Sequence, residues 1–140
     1  VILLLISDIG TDEYYRYQKG IERIEKVIEM KKTEKTYNIP VEATLEVIGG
    51  KWKTVILCHL THGPMRTSEL KKAMPNITQK MLTQQLRELE EDGVINRIVY
   101  NQVPPKVVYE LNEFGWSLKP VLDQMCAWGE EYIKRSKNKQ

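Results

Sequence analysis

The apolar positions of this chain follow two rhythms, a helical one with a short two-residue one set inside it. Ile21, Ile24 and Ile28 recur at helical spacing with charges between them, which predicts a surface helix over residues 12–32. Pro40 suits the first position of a helix carrying Val41, Leu45 and Ile48, and Gly49 and Gly50 close it. A second helix over residues 51–62 is expected to bury Trp52, Val55, Ile56 and Leu60, and "HGP" ends it. In "MRTSELKKAMP", Thr67 or Ser68 caps a short third helix that stops before Pro75, because the residue preceding proline is pushed out of helical geometry. In "NITQKMLTQQLRELEEDG", Leu82, Leu86 and Leu89 follow i, i+4, i+7 and face the core, so Lys80, Thr83, Gln84 and Arg87 point away from it. Gly93 stands where a left-handed cap is needed, with Val94 as its apolar contact.

There the period shortens. "INRIVY" and "KVVYEL" are rich in branched residues and are separated by "NQVPP", a turn with two prolines; Val107, Tyr109 and Leu111 alternate with Val108 and Glu110, so the second run reads as a half-buried strand. Asn112 then caps a long helix, "EFGWSLKPVLDQMCAWGEEYIKR", which Pro120 is expected to kink. Only Pro75, Asn76 and Ile77 separate the third and fourth helices, the layout of a helix-turn-helix, and the hairpin follows as a wing.

With 41% hydrophobic and 29% charged residues, 140 residues suit one soluble domain. The net charge of +2 is too mild to announce a nucleic-acid partner, so distribution must decide. Residues 70–87 contain no Asp or Glu but carry Lys71, Lys72, Lys80 and Arg87, while Glu88, Glu90, Glu91 and Asp92 crowd the helix end. Stabilisation of the helix dipole would favour the opposite order. A polyanion facing the helix start explains the reversal, since acids there would be repelled. Glutamine pairs bidentately with adenine, arginine or lysine with guanine, and threonine offers a hydroxyl or methyl, so Gln79, Lys80, Thr83, Gln84 and Arg87 form a reading set. Arg97 and Lys106 are the wing's candidates for phosphate contact. The plain alternatives are a solvated glutamine-rich face and a small sheet that only closes the core.

The run from "PVEATLEVIGGKWK" to "MCAWGEE", residues 40–131, resembles the HxlR-type regulators, winged helix-turn-helix proteins similar to the MarR group. The resemblance rests on "GGKW", "ITQKMLTQQLRELEEDG", "PPKVVYEL" and the Trp-Gly near the end. It implies a mainly α fold with a small β-hairpin, a winged helix-turn-helix with N- and C-terminal dimerisation helices. It further implies a homodimeric, cytoplasmic transcription regulator binding double-stranded DNA, with residues 78–87 on the recognition helix and 97–106 on the wing. Ser68 and Thr78 complete the expected DNA-binding set. Residues 1–36 are taken as an N-terminal extension, a helical arm; 37–135 as the winged helix-turn-helix domain; 136–140 as a flexible tail. Thiol-sensing members carry a cysteine before the proline of the first core helix, where this chain has Ile39-Pro40, so sensing through that position is not available.

Trp116, Leu118, Leu122, Met125, Trp128 and Tyr132 spread over more than one face of the last helix, which suggests a partner helix from a second chain. Two recognition helices would then lie about 34 Å apart on a near-palindromic operator. Competing classes are weaker. Cys58, His59 and His62 cluster on one helix but lack the further ligands of a zinc site and the orienting group of a catalytic one, so neither an enzyme nor a metal or other cofactor is expected. Cys58 and Cys126, far apart and without CxxC spacing, argue against a disulfide framework and read as packing residues. A winged helix can instead bind protein, but such a version would carry apolar or acidic residues over 70–87. A small-molecule effector is possible in this architecture, and no polar set names one. "VILLLISDIG" is far shorter than the roughly 20 residues of a membrane span, and it lacks the flanks of a signal peptide.

Overall fold

The structure, a computed structural model, describes residues 10–32 and 35–139. The chain falls into two units, residues 1–38 and 39–140. In the first, α1 (Thr11–Lys32) is the helix expected over residues 12–32, with Lys19 and Glu22 paired at 3.5 Å across one turn and Ile24 and Ile28 exposed. The reading of "VILLLISDIG" lies, apart from Gly10, outside the described residues.

The second unit runs α2 (Val41–Ile48), α3 (Lys53–Leu60), α4 (Thr67–Ala73), α5 (Gln79–Glu91), β1 (Ile95–Tyr100), β2 (Lys106–Leu111), α6 (Glu113–Trp116) and α7 (Lys119–Asn138). Its core gathers Ile56, Leu57 and Leu60 of α3, Leu70 of α4, Leu82, Leu86 and Leu89 of α5, and Leu122 of α7. Truncating any one of these leucines to alanine costs about 2 to 5 kcal/mol, so the faces of α4 and α5 that look away from the core are fixed by this packing. Ile77, 2% exposed in the α4–α5 turn, plugs the corner between the two helices, while the Lys71 ammonium donates to the Pro75 carbonyl at 3.2 Å.

Both ends of α5 are closed by their own chemistry. Thr78 Oγ1 accepts from the Met81 N–H at 3.1 Å, satisfying one of the orphan donors of the first turn. At the other end Gly93 adopts φ +76°, its N–H donates to the Glu90 carbonyl, and the Val94 N–H donates to the Leu89 carbonyl. This pair of bonds is the Schellman arrangement, and Val94 is fully buried as its apolar contact. The antiparallel strands then pair from Ile95 with Leu111 to Tyr100 with Lys106. Met65 and Tyr109 exchange two backbone hydrogen bonds, of 2.9 and 2.8 Å, which give β2 a second neighbour.

Asn112 is the joint of the unit. Its N–H donates to the Val94 carbonyl, its side-chain amide donates to the Gly93 carbonyl at 2.7 Å, and its Oδ1 accepts from the Gly115 N–H at 2.8 Å. A Cβ on Gly115 would collide with the Val94 carbonyl oxygen and meet Leu111 Cδ2 at 3.2 Å, so only glycine allows α6 to lie against this segment.

Several expectations are corrected. Val55 is 39% exposed and Leu57 is buried in its place, because α3 is apolar around most of its circumference and spacing does not reveal its phase. Arg66, not Thr67 or Ser68, occupies the cap position of α4, and its N–H donates to Glu69 Oε1 at 3.3 Å. Val108 is buried along with Tyr109, so β2 is covered on both faces rather than half-buried. Pro120 does not kink one long helix. It sits in the first turn of α7, after a break at Ser117 and Leu118, where its missing N–H costs nothing. α7 continues to Asn138, into the stretch expected as a tail. No helix among the described residues is long and apolar enough to cross a membrane.

Candidate nucleic-acid interface

Gln79, Lys80, Thr83, Gln84 and Arg87 are all exposed on α5, with Thr78 at its cap and Ser68 exposed at the second position of α4. The first turn of α5 carries no acid. The helix start therefore keeps the partial positive charge of its free N–H groups, which favours an anion. Among the described residues, Lys80, Arg87 and Arg97 enter no ion pair.

Between α5 and the hairpin lies a groove of about 420 Å³ lined by Thr83, Arg87, Glu90, Glu91, Arg97 and Tyr109. It joins three of the expected residues, Thr83, Arg87 and Arg97, from two elements. It also corrects the picture of an acidic end remote from the cationic surface, since Glu90 and Glu91 line the same groove as the arginines. Lys106 stands apart at the turn end of β2, opposite Tyr100, with its ammonium 5.3 Å from the centre of that ring.

Hydrogen bonding narrows what each polar side chain offers. Thr83 Oγ1 donates to the Gln79 carbonyl at 2.9 Å, leaving its methyl as the freer contact. Glu88, which spacing alone marked only as one of the rear acids, is a hub. Its carboxylate accepts from Lys53 Nζ at 3.1 Å, from Gln84 Nε2 at 3.3 Å and from Gln85 Nε2 at 3.2 Å. The Lys53 ammonium first and the Gln84 amide second hold the Glu88 carboxyl below its ordinary value. Lys53 belongs to α3 and its side chain is only 13% exposed, so this pair ties α5 to α3. A local spacing rule could not find it, because the partners are 35 positions apart in sequence.

The other chemistry-bearing residues assemble differently. Among the described residues no group of His, Cys, Asp and Glu is placed to hold a metal ion. Cys58 and Cys126, remote in sequence, meet where α3 packs on α7. Burial foremost, then the charge of Cys126 and a hydrogen bond with it, push the Cys58 thiol above its ordinary value. Cys126 is exposed, which departs from the buried packing role expected of it. A hollow of about 230 Å³ lies between Ala43, Thr44 and Val47 of α2 and Val94, Phe114 and Leu118. It is smaller than the roughly 300 to 1,000 Å³ of ordinary ligand sites, and no effector is assigned to it.

On α7, Val121, Met125, Trp128 and Tyr132 recur at intervals of four, three and four residues and are all exposed, Trp128 by 70%. Trp128 and Tyr132 stack with centroids 5.5 Å apart. Leu122, by contrast, faces the core. α7 thus buries Leu122 and leaves the stripe of Val121, Met125, Trp128 and Tyr132 uncovered.

A short helix, a tight turn, a longer helix with a polar outer face and a two-stranded hairpin define the winged helix-turn-helix class. The sequence model of the HxlR-like helix-turn-helix matches residues 47–137, and the chain belongs to that family. It is 78% identical over 102 residues to the "Uncharacterized HTH-type transcriptional regulator YtcD" of Bacillus subtilis (strain 168), covering 73% of this chain and 81% of that one. It is 50% identical over 102 residues to an HTH-type transcriptional regulator of Methanothermobacter thermautotrophicus, covering 73% of this chain and 78% of the relative. Among solved structures it is similar to the redox regulator HypR in its reduced form, with 52% identity and a TM-score of 0.68 over 71% of this chain and 99% of that chain.

Proposed function

We infer that the chain is a sequence-specific DNA-binding transcriptional regulator that acts as a homodimer on a near-palindromic operator. The observation that carries this reading is the outer face of α5: an acid-free first turn, exposed amide and cationic side chains, and arginines without ion-pair partners among the described residues. Laid in a major groove, α5 directs Gln79, Lys80, Thr83 and Gln84 at base edges. Thr78 and Ser68 flank the helix start, within reach of phosphates. Arg87 and Arg97 meet the duplex from the groove between helix and wing. Glu90 and Glu91 in that groove discourage any backbone approach there that is not matched by an arginine.

The uncovered stripe of α7 supplies the second half of the reading, since an exposed aromatic row on a regular helix is the surface of a protein interface. A two-fold axis across it pairs two recognition helices about one DNA turn apart, roughly 34 Å. Footprinting on genomic fragments over a range of salt concentrations tests the reading, with sedimentation run in parallel. A two-fold symmetric protected site whose affinity falls steeply with salt is expected; absence of any complex at low ionic strength overturns it.

A further inference from the structure

Glutamine is an ambiguous reader. Its amide carries an acceptor at one atom and two donors at the other, and a free side chain turns either toward a base. Gln84 is exposed on the outer face of α5, yet it is not free: its Nε2 donates to Glu88 Oε1 at 3.3 Å. A carboxylate only accepts, so the nitrogen must be the atom facing it, whichever way the amide is drawn. The carboxylate is in turn held at Oε2 by Lys53 of α3 and by Gln85, at 3.1 and 3.2 Å.

We propose that Glu88 is a positioning residue for base recognition, holding the Gln84 amide so that its oxygen and its remaining N–H are presented together and read adenine. Adenine alone offers an adjacent donor and acceptor, N6 and N7, on its major-groove edge; guanine offers two acceptors there. An untethered amide can swing its NH₂ onto guanine, whereas one anchored through an N–H meets guanine O6 with its own oxygen and is repelled. The proposal rests on the reading of α5 as the recognition helix and adds which base one of its side chains selects.

The test uses the full chain, a pool of random duplexes for selection, and direct affinities on single duplexes that differ at one pair. Wild type should show one position per half-site where adenine exceeds guanine by about tenfold, and Gln84→Ala should erase that preference at that position alone. Glu88→Ala should retain total affinity within about threefold while the adenine preference decays toward either purine. Glu88→Gln, whose oxygen still accepts from Gln84, should recover most of the preference. Lys53→Met removes the ion pair but leaves Glu88 and both glutamines, and should keep the wild-type base profile. In Gln84→Ala, adding Glu88→Ala should change nothing further. A wild-type profile in Glu88→Ala overturns the proposal, as does a shift in Lys53→Met as large as that in Glu88→Ala, which would mark Glu88 as a structural tie only. If Gln84→Ala alters no position, Gln84 is not the reader and the proposal falls while DNA recognition by α5 stands. Wild type enriching no sequence at all overturns both.

Discussion

The outer faces of α5 and α7 are both open to solvent, and they could hardly differ more in chemistry. α5 exposes amides, hydroxyls and cations, joined toward its end by Glu90 and Glu91, with Met81 as its one large apolar side chain there; α7 exposes Val121, Met125, Trp128, Tyr132 and Ile133. Water solvates the first face well and the second poorly. Exposure is thus a different observation in each place: on α5 it leaves hydrogen-bonding groups ready to exchange water for a polar ligand, and on α7 it leaves apolar area whose removal from water drives association. The first face suits a duplex and the second a protein.

The largest effect should come from spoiling the apolar face. Met125→Glu with Trp128→Glu alters only exposed positions, so circular dichroism should still report a folded chain while sedimentation shifts to the monomer. Operator affinity should drop by about 100-fold or more, because each half-site is then held alone. Next in size, Arg87→Ala should weaken operator binding by about 1 to 3 kcal/mol and relax preference at one position if the guanidinium reads a base, without changing the sedimentation coefficient. Gly93→Ala touches neither face. Its φ of +76° forces a side chain into the left-handed region, at a cost of about 1 to 2 kcal/mol. Melting temperature should fall while the folded fraction keeps its affinity and its oligomeric state. The smallest change is expected from Arg97→Ala: base preference unaltered and the salt slope of binding lowered by about 1. A loss of dimer in that last variant would break the division of labour between the two faces.

Local chemistry made much of this legible in the residues. The hairpin runs are the strands, the three leucines of α5 are buried, and Gly93 is the cap, because each depends on neighbours within a few positions. The phase of α3 is hidden by apolar residues on most sides, so spacing points to Val55 where packing buries Leu57. Pro120 permits either a kink or a new start, and spacing does not show that α6 ends at Trp116, with Ser117 as its C-cap, before α7 begins at Lys119. Of the interface, the identity of the outward residues was readable, but not what they do with their own hydrogen bonds. That Thr83 spends its hydroxyl on the Gln79 carbonyl depends on its rotamer, and that Glu88 meets Lys53 depends on the packing of α3 against α5.

The joint at Asn112 and Gly115 bears on how the two faces communicate. Backbone lies directly on backbone there, the Leu118 N–H donates to the Gly115 carbonyl, and the Leu122 N–H donates to the Leu118 carbonyl, so hydrogen-bonded turns run on from this weld into α7. Such a connection has little slack. In a two-chain assembly, a twist imposed along one α7 would arrive at the rear of α5 as a change of pitch rather than being absorbed by a loose linker, and the span between the two reading heads would be set by the rigidity of this one corner.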